Sequence, residues 1–436
     1  MNENKEKVLI IGLGYVGLTL AVHLCRNGYE IYGVEIDKKI LDNISKGKAH
    51  FYEPGIDALV HKFINKKLFV SGFVPNLKYD VIIISVGTPL YLGKNIINME
   101  YLKSCLDSIC PVYDKSSLLV LRSTVEVGTT RNYVLPIIKG WSRIDDDEIL
   151  LSFCPERTAE GVALLELETL PQLISGYNKK SLEVSRKFFS NFSSEVYVCP
   201  SLEASELVKL FNNVYRDINF AVGNILNNIS QSFGIDGYEM IELSNKEYNR
   251  SKIAKPGFVG GACLEKDAYI LANNLKLKEE KNNIISFRIF NENLEKDVVY
   301  WVNNQIKKGS SLLISGLAFK GQPPTSDLRG SNPIKILKQL IDEYDIIIHD
   351  YHASYSDLVN IDKRIKVVKT FNDIKKKVDL IMLLNNTVEY HSINNAILSK
   401  IIKSSGQIFD AWSMIPSNII IDYPITTLGN YKIGKN

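Results

Sequence analysis

Near its N terminus the chain reads Val8-Leu9-Ile10-Ile11-Gly12-Leu13-Gly14-Tyr15-Val16-Gly17, and an amphipathic stretch continues to Leu24. The apolar run indicates a buried strand, and the spaced glycines indicate a tight turn that opens a helix. In this pattern the first glycine makes the turn, the second lets a ligand approach the backbone, and the third allows close helix–strand packing. The stretch therefore predicts the first strand, turn and helix of a doubly wound α/β domain that binds a dinucleotide.

An acidic residue follows at the position where such a turn needs one. Glu35 ends the next strand-like run, Ile31–Val34, and a carboxylate about 20 residues beyond the glycines binds the ribose hydroxyls. Because that charge repels a ribose 2′-phosphate, the sequence predicts NAD rather than NADP. Asp37 either shares this role or is solvated. A glycine-rich turn beside an unrelated surface acid is the alternative interpretation.

The whole chain divides into three segments, of which the first contains the glycine turn. Short apolar runs alternate with helix-like stretches as far as about Cys199, at Val8–Ile11, Ile31–Val34, Val81–Val86, Leu118–Leu121 and Ile149–Phe153. This alternation is typical of a parallel sheet wound with helices. From Ser201 to about Gly234 apolar residues recur at helical spacing, which predicts a helix of about 50 Å.

Strand signals return in the last third of the chain, at Leu312–Ser315, Ile346–His349, Leu380–Leu384 and Gln407–Phe409. The Gly316 turn resembles the first turn but lacks the full glycine set, so we predict no second dinucleotide site there. The fold prediction is α/β: two Rossmann-like doubly wound parallel-sheet domains, residues 1–200 and 306–436, joined by a helical central domain, 201–305, with a long helix.

Composition argues against several functional classes. The 436 residues are 45% hydrophobic and carry a formal net charge of +3, without a long basic run, so nucleic acid is not an expected partner. No apolar segment reaches the roughly 18 residues that a membrane helix needs. The six cysteines and six histidines show no metal-ligand spacing, so we predict no metal. Scattered thiols favour a reducing, cytoplasmic setting.

One cysteine stands in a distinctive local pattern, Pro256-Gly257-Phe258-Val259-Gly260-Gly261-Ala262-Cys263-Leu264-Glu265-Lys266-Asp267. The glycines and the small residue before Cys263 allow a ligand to lie against the backbone. A cation such as Lys266 beside the thiol favours the nucleophilic thiolate. The pattern therefore predicts a catalytic cysteine, although an isolated cysteine is more often a small core residue.

Several motifs of the chain, taken together, resemble those of the UDP-glucose/GDP-mannose dehydrogenase family in residues and in order. They are Gly12–Gly17, Val86–Pro89, Ser123–Thr130, Cys154–Arg157, the segment around Cys263, Gly316–Lys320 and Asp327–Ser331. The resemblance extends over nearly the whole chain. It implies an NAD-dependent enzyme that oxidises the C6 hydroxyl of a nucleotide sugar to a carboxylate, in a four-electron reaction.

The resemblance also implies roles for individual residues. The Cys263 thiolate attacks an intermediate aldehyde, and the thiohemiacetal is oxidised to a thioester that water hydrolyses. The implied catalytic residues are Cys263, Lys209, Asn213, Asp267, Thr124, Glu156 and Glu160. The implied cofactor contacts are Gly12, Gly14, Tyr15, Val16, Gly17, Glu35, Thr88, Thr124, Lys266 and Arg329. The implied substrate contacts are Glu156, Arg157, Lys209, Asn213, Arg250, Phe258, Val259, Gly260, Phe319 and Lys320.

Some of these positions have an ordinary structural interpretation as well. Lys209 and Asn213 are four residues apart, so they share one face of the long helix and suit oxyanion stabilisation. On position alone, a solvated helix face is the commoner fate of such residues. Glu156 is equally a typical acid at a helix N terminus, and Arg250 is equally a surface arginine.

The choice of substrate rests on small departures from the family pattern. Pro155-Glu156-Arg157 resembles the branch that acts on UDP-N-acetylhexosamines such as UDP-N-acetylmannosamine, whereas Lys266-Asp267 resembles the UDP-glucose branch. We expect a UDP-N-acetylhexosamine, oxidised for surface polysaccharide precursors, with UDP-glucose as the alternative. A two-electron hydroxyacid-type dehydrogenase and a non-catalytic NAD or nucleotide-sugar sensor are more remote alternatives. The long helix is expected to pair two subunits of a homodimer.

Overall fold

The computed structural model of the protein describes residues 6–91, 95–141, 144–416 and 421–432. These residues form two compact units. The first contains the chain up to Asn212 together with Tyr269–Lys276, and the second contains Asn213–Ala268 together with the chain from Leu277 onward. The division into domains 1–200, 201–305 and 306–436 stays a prediction, and its outer ends at 1 and 436 lie outside the described residues.

The first unit is built on an eight-stranded sheet. Its strands are β1 (Lys7–Ile11), β2 (Glu30–Val34), β3 (Leu68–Ser71), β4 (Val81–Ile84), β5 (Leu118–Leu121), β6 (Leu151–Phe153), β7 (Gln172–Gly176) and β8 (Val196–Val198). Their spatial order is β3-β2-β1-β4-β5-β6-β7-β8. Neighbouring strands run parallel except β6 and β7, which are antiparallel.

Helices cover both faces of this sheet, which explains why its central strands are apolar throughout. They are α1 (Tyr15–Arg26), α2 (Lys38–Ser45), α3 (Ile56–Phe63), α4 (Glu100–Ile109), α5 (Leu135–Trp141), α6 (Ala163–Thr169) and α7 (Lys179–Ser190). Every residue of β4 and β5 is buried. One core includes Leu18 and Phe189, and a second includes Leu119 and Leu102.

The second unit combines helices with a six-stranded sheet. Its helices are α8 (Leu202–Ser232), α9 (Gly237–Asn245), α10 (Gly261–Asn273), α11 (Lys278–Gln305), α12 (Asn332–Leu340), α13 (Tyr355–Val359) and α14 (Asn395–Ile401), of which α8 and α10 also give residues to the first unit. Its strands are β9 (Ser311–Ser315), β10 (Asp345–His349), β11 (Lys366–Val367), β12 (Val378–Leu383), β13 (Ile402–Asp410) and β14 (Ile425–Thr427). Their order is β11-β10-β9-β12-β13-β14, and all neighbours are parallel.

The structure confirms the predicted fold class: two parallel doubly wound sheets and a helical segment with a long helix. Strands β3, β7 and β8 of the first sheet and β11 and β14 of the second were not predicted. In the first sheet, the carboxyl ends of parallel strands place Gly12, Glu35, Arg122 and Cys154 along one edge, where ligands bind in such folds. Within the described stretches, no helix is both long and apolar enough to cross a membrane.

Candidate active site

The glycine turn after β1 has the geometry of a cofactor site. Gly12 has φ +88°, a left-handed conformation that favours glycine. A side chain at Gly17 would overlap the Gly12 carbonyl, so α1 packs tightly on the turn. At Gly14, by contrast, an added Cβ would meet no atom within 4 Å, and no side chain caps the start of α1. Open space at an uncapped helix N terminus is what the diphosphate of NAD requires.

Glu35 lies beside this turn, at the end of β2. Its Oε2 accepts a hydrogen bond from the Leu13 backbone N–H at 3.0 Å, and its Oε1 accepts from Ile36 and Asp37 at 2.8 and 3.0 Å. Asp37 instead caps α2, accepting from Lys39 N–H at 2.8 Å. The carboxylate at the turn is therefore that of Glu35, and Asp37 has a structural explanation of its own.

Tyr15 connects the turn to a distant loop. Its hydroxyl donates to Glu53 Oε2, and the Gly161 N–H donates to both groups at 2.8 Å. Burial and the neighbouring Glu53 raise the pKa of Tyr15 well above its ordinary value. Val16, the other non-glycine residue named from the turn, is half-buried. Sequence reasoning missed Glu53, and its only signal was an acid before Pro54 and Gly55.

Glu156 is held by a buried arginine. Both Nε and Nη2 of Arg122 donate to Glu156 Oε2, at 3.0 and 2.5 Å, while the Arg157 and Thr158 N–H groups donate to Oε1 at 2.7 Å. Burial raises the pKa of Glu156, but Arg122 and then Lys209 oppose this, and the net pKa lies below the ordinary value. Glu156 is thus a fixed carboxylate in the loop before α6, several residues ahead of that helix.

The other predicted residues of the first unit lie in nearby loops and on α8. The Thr88 hydroxyl donates to the Thr124 carbonyl at 2.5 Å, which brings these two residues together. The Arg157 guanidinium donates to the Pro171 carbonyl. Lys209 is buried on α8, and Glu160 is half-buried.

A further buried acid on α8, Glu206, anchors the loop that follows Thr124. Its carboxylate accepts from the Gly128 and Thr130 N–H groups at 2.5 and 2.8 Å, and from the Thr130 hydroxyl at 2.6 Å. Burial raises the pKa of Glu206. Glu206 and Arg122 were both missed from the sequence, because their partners lie 76 and 34 positions away along the chain.

In the second unit, the thiol of Cys263 is exposed in the first turn of α10. Four residues further on, and hence on the same helix face, Asp267 is buried and accepts from Asn213 Nδ2 at 2.6 Å. A helix N terminus favours a negatively charged thiolate. The structure therefore joins Asp267 to Asn213 and places Cys263 one helical turn before Asp267, with half-buried Lys266 between them in the chain.

The segment before Cys263 packs against two loops of the last sheet. Phe258 and Val259 are buried. Gly261 has φ +90°, and its N–H donates to the Gly330 carbonyl at 3.0 Å. The Phe319 ring lies against Gly261, and the Lys320 ammonium lies 5.5 Å from the centre of that ring.

Two predicted arginines are exposed. Arg329 donates to Asp327 at 2.6 Å through Nη2, and the Arg250 guanidinium lies 5.3 Å from the Tyr248 ring centre. Gly260 adjoins Gly330 and Asn332, with no room for a side chain. Among the described residues, no group of three or more His, Cys, Asp or Glu is arranged to hold a metal.

Three domain models of one family match the chain. The NAD binding domain of the UDP-glucose/GDP-mannose dehydrogenase family matches residues 6–193, its central domain 203–293, and its UDP binding domain 313–417. The UDP-N-acetyl-D-mannosamine dehydrogenase of Campylobacter jejuni is 31% identical over 348 residues, which cover 78% of this chain and 84% of the relative.

The chain belongs to the UDP-glucose/GDP-mannose dehydrogenase family. Another member, the UDP-N-acetyl-D-mannosamine dehydrogenase of Methanocaldococcus jannaschii, is 30% identical over 91% of this chain and 89% of its own. The solved UDP-D-ManNAc dehydrogenase of Pyrococcus horikoshii superposes with a TM-score of 0.85 at 26% identity, over 98% of this chain and 100% of that one.

Membership of the family confirms several sequence predictions. The protein is an NAD-dependent nucleotide sugar dehydrogenase, and NAD is its cofactor. The glycine turn after β1 fits that cofactor, as described above. The UDP binding domain indicates that the nucleotide sugar is a UDP-sugar. The individual site residues and the identity of the sugar remain proposals.

Proposed function

We propose that this enzyme oxidises the C6 hydroxyl of a UDP-N-acetylhexosamine to a carboxylate in two successive two-electron steps, with Cys263 as the covalent catalyst. The observation that carries the proposal is the exposed thiol in the first turn of α10, one helical turn from the Asp267–Asn213 pair. UDP-N-acetylmannosamine is the first candidate substrate, since similar proteins over most of the chain carry that name.

The cofactor is held by the turn after β1. Gly12, Gly14 and Gly17 bring the backbone and the start of α1 to the diphosphate, and Glu35 accepts hydrogen bonds from the ribose hydroxyls. Thr88, Thr124, Tyr15, Val16, Lys266 and Arg329 complete the proposed contacts. NAD, when bound, would supply the hydride acceptor, and a second molecule of NAD would replace the NADH formed in the first oxidation before the second.

Cys263 provides the nucleophile for the second oxidation. The thiolate adds to the carbonyl carbon of the C6 aldehyde, forming a C–S bond and an oxyanion. Lys209 and Asn213, four residues apart on α8, supply a cation and an amide donor that stabilise this oxyanion. Loss of hydride from the same carbon leaves a thioester, in which the thiolate is a good leaving group.

Hydrolysis of the thioester requires a positioned water and a group that removes its proton. Asp267 and Thr124 are proposed to hold the water. Of the two acids, Glu156 is paired with Arg122 and has a lowered pKa, so it serves better as a fixed negative charge than as a base. Glu160 is then the better candidate for the base.

The sugar nucleotide is bound by residues near the cysteine and in the last domain. Phe319 and Lys320 are proposed to contact the UDP part, supported by their position against the segment before Cys263. Phe258, Val259 and Gly260 are proposed to contact the sugar through their backbone groups. Arg157, Glu156 and Arg250 complete the proposed set, and Arg250 reaches it from a second subunit.

A homodimer through α8 is part of the proposal. Apolar side chains at positions 211, 215 and 229 of this helix, and at position 233 directly after it, are exposed, and the spacing of the three helical positions places them on one face. Exposed apolar side chains that share one helix face are typical of a protein interface. A reducing, cytoplasmic setting and a role in surface polysaccharide precursor synthesis complete the hypothesis.

The decisive test is the yield of NADH per sugar consumed, measured with UDP-glucose, UDP-N-acetylglucosamine, UDP-N-acetylmannosamine and UDP-N-acetylgalactosamine. We expect two NADH per sugar, with UDP-N-acetylmannosamine preferred, and loss of this yield in Cys263→Ser. Preference for UDP-glucose would replace the substrate assignment. One NADH per sugar, or full turnover by Cys263→Ser, would favour a two-electron dehydrogenase.

A further inference from the structure

The glycine segment before Cys263 is held from beneath by a buried polar network. Asn224 of α8 binds Gly257 through both backbone groups: its Nδ2 donates to the Gly257 carbonyl at 3.1 Å, and its Oδ1 accepts from the Gly257 N–H at 2.9 Å. On the other side of Gly257 lies the Trp412 ring, which leaves no room for a side chain there. The start of the segment is therefore fixed on two sides.

Arg288 of α11 holds the rest of the segment. Its side chain is 1% exposed. Nη2 donates to the Val259 carbonyl at 3.0 Å, and Nη1 donates to the Leu264 carbonyl at 3.2 Å. These carbonyls lie four residues before Cys263 and one residue after it, so a single planar guanidinium spans the backbone that carries the thiol.

The guanidinium is itself fixed by its neighbours. Arg288 Nη1 donates to Asp217 Oδ1 at 2.7 Å, and Glu292 Oε1 lies 3.2 Å from Arg288 Nε. Asn291 donates to the same Asp217 oxygen at 2.9 Å and accepts from Asn224 at 3.0 Å, which closes the network. A buried ion pair is a poor source of net stability, because desolvation offsets its attraction. Its value here lies in the geometry that it imposes.

The network also contributes charged side chains near the backbone that carries Cys263. The charged groups near the first turns of α10 include Glu265, Lys266 and Asp267 on α10 itself, Asp217 on α8, Arg288 and Glu292 on α11, and Lys335 on α12, which pairs with Glu265 at 2.8 Å. Without Arg288, the buried Asp217 carboxylate would lose its cation within the network that holds the backbone around Cys263. A nearby uncompensated negative charge disfavours a thiolate.

We propose that Arg288 is a positioning residue for Cys263: it fixes the backbone on both sides of the thiol, and its positive charge offsets Asp217 in the network that holds this backbone, which favours the thiolate. The inference rests on the proposed role of Cys263 as the nucleophile. It adds a residue from a helix that carries none of the catalytic residues proposed above.

The test is the rate at which iodoacetamide alkylates Cys263 in the whole protein without ligands, followed by peptide mass spectrometry from pH 6 to 10. In Arg288→Met the rate at pH 7 should fall about tenfold, with a profile shifted to higher pH, since the thiolate is the reacting form. Arg288→Lys keeps the positive charge but lacks the planar guanidinium, so its alkylation rate should lie between those of wild type and Arg288→Met. Adding Asp217→Asn to Arg288→Met should restore part of the rate.

Val298→Ala serves as the matched control, because it weakens the apolar core under the same helix without removing a member of the polar network. It should lower the unfolding temperature and leave the Cys263 profile unchanged. A wild-type profile in Arg288→Met, or an equal shift in Val298→Ala, would overturn the inference. If Arg288→Met does not fold, Arg288→Lys decides alone, and a wild-type rate overturns the inference.

Turnover separates this inference from the proposed function. Arg288→Lys should lower kcat with UDP-sugar by a larger factor than it raises KM, because the main affected step, attack by the thiolate, follows binding. Full activity of Cys263→Ser would refute the proposed function whatever the Arg288 variants do. Inactive Cys263→Ser, combined with unchanged alkylation in the Arg288 variants, would refute only the positioning role.

Discussion

The two sheets of the molecule begin with the same device and use it differently. In each, a buried five-residue strand ends in a left-handed glycine, Gly12 with φ +88° after β1 and Gly316 with φ +86° after β9. In each, a carboxylate at the end of the next strand accepts a hydrogen bond from the residue after the glycine. Glu35 binds Leu13 N–H at 3.0 Å, and Asp350 binds Leu317 N–H at 2.7 Å.

The two turns differ in how many backbone N–H groups remain available to bind a ligand. After β1 the helix begins at once, at Tyr15, without a side-chain cap. After β9, Asp350 takes the Ala318 N–H as well, at 2.9 Å, and the next helix begins only at Asn332, capped by Ser331. The second turn therefore satisfies its own donors. One framework makes a phosphate site when its N–H groups are left open and a rigid scaffold when they are not.

The largest effect should come from Gly17→Ala, which tests whether close packing keeps the first turn in shape. The added methyl would overlap the Gly12 carbonyl, and such overpacking costs up to about 3 kcal/mol. We expect NAD affinity to fall about 100-fold by calorimetry. Gly14→Ala, where a Cβ meets no atom within 4 Å, should fold normally and bind NAD more weakly. Loss of UDP binding in either variant would contradict the conclusion that the first turn serves NAD alone.

The second prediction exchanges the two carboxylates for amides. Asp350→Asn should lower the free energy of unfolding by about 2–4 kcal/mol, because Asp350 accepts from four backbone N–H groups, those of Leu317, Ala318, His352 and Ala353. Glu35→Gln, the matched change in the first unit, should cost less than about 1 kcal/mol but reduce the preference for NAD over NADP. Denaturant unfolding and cofactor kinetics measure the two effects. Equal losses of stability would contradict the assigned difference.

The third prediction concerns the loss of folding stability at low pH. We expect it at the Gly316 turn, where a histidine ends the neighbouring strand β10, and not at the Gly12 turn. The paired positions before the turns are Ile11 and Val34 in one sheet, and Ser315 and His349 in the other. Burial lowers the pKa of His349 to about 4. Below about pH 6.5 the unfolded chain binds a proton that the folded chain does not, so stability falls as pH falls towards 4.

At pH 5 this loss should amount to about 2 kcal/mol, since each pKa unit is worth about 1.4 kcal/mol. The measurement is the change in unfolding free energy between pH 7.5 and 5. His349→Gln should show a smaller change than wild type, and a variant of the exposed His391 should behave as wild type. An unchanged pH dependence in His349→Gln would remove the assigned role of this histidine.

Local patterns were sufficient to predict the fold. Long apolar runs gave the central strands, and helical spacing without a proline gave α8 nearly to its ends. Strands β3, β7 and β8 escaped because they are short and partly exposed, and β7 runs against its neighbour β6. Strands of this kind, two of which (β3 and β8) lie at the sheet edges, take their conformation from pairing rather than from a strong pattern of their own.

The chemistry-bearing residues were predictable only where a motif contained them. Cys263 and the glycines stand in distinctive local contexts, whereas Arg288, Asn224 and Arg122 look like ordinary polar residues in a helix or after a strand. Each becomes a buried, hydrogen-bonded group only through partners far along the chain, as Arg288 does through Asp217, 71 positions away. A single sequence does not encode such pairings locally.

The bond between Tyr15 and Glu53 limits how freely this nucleotide-binding turn can be transplanted. A protein engineer who grafted residues 8–17 into another α/β scaffold would carry over the glycines but leave behind Glu53 and the Gly161 N–H that anchor the tyrosine. The graft would leave the half-buried Tyr15 hydroxyl without its partner. A working graft therefore has to include three separate segments: the turn itself, Glu53 in the Glu53-Pro54-Gly55 bend, and the loop at Gly161.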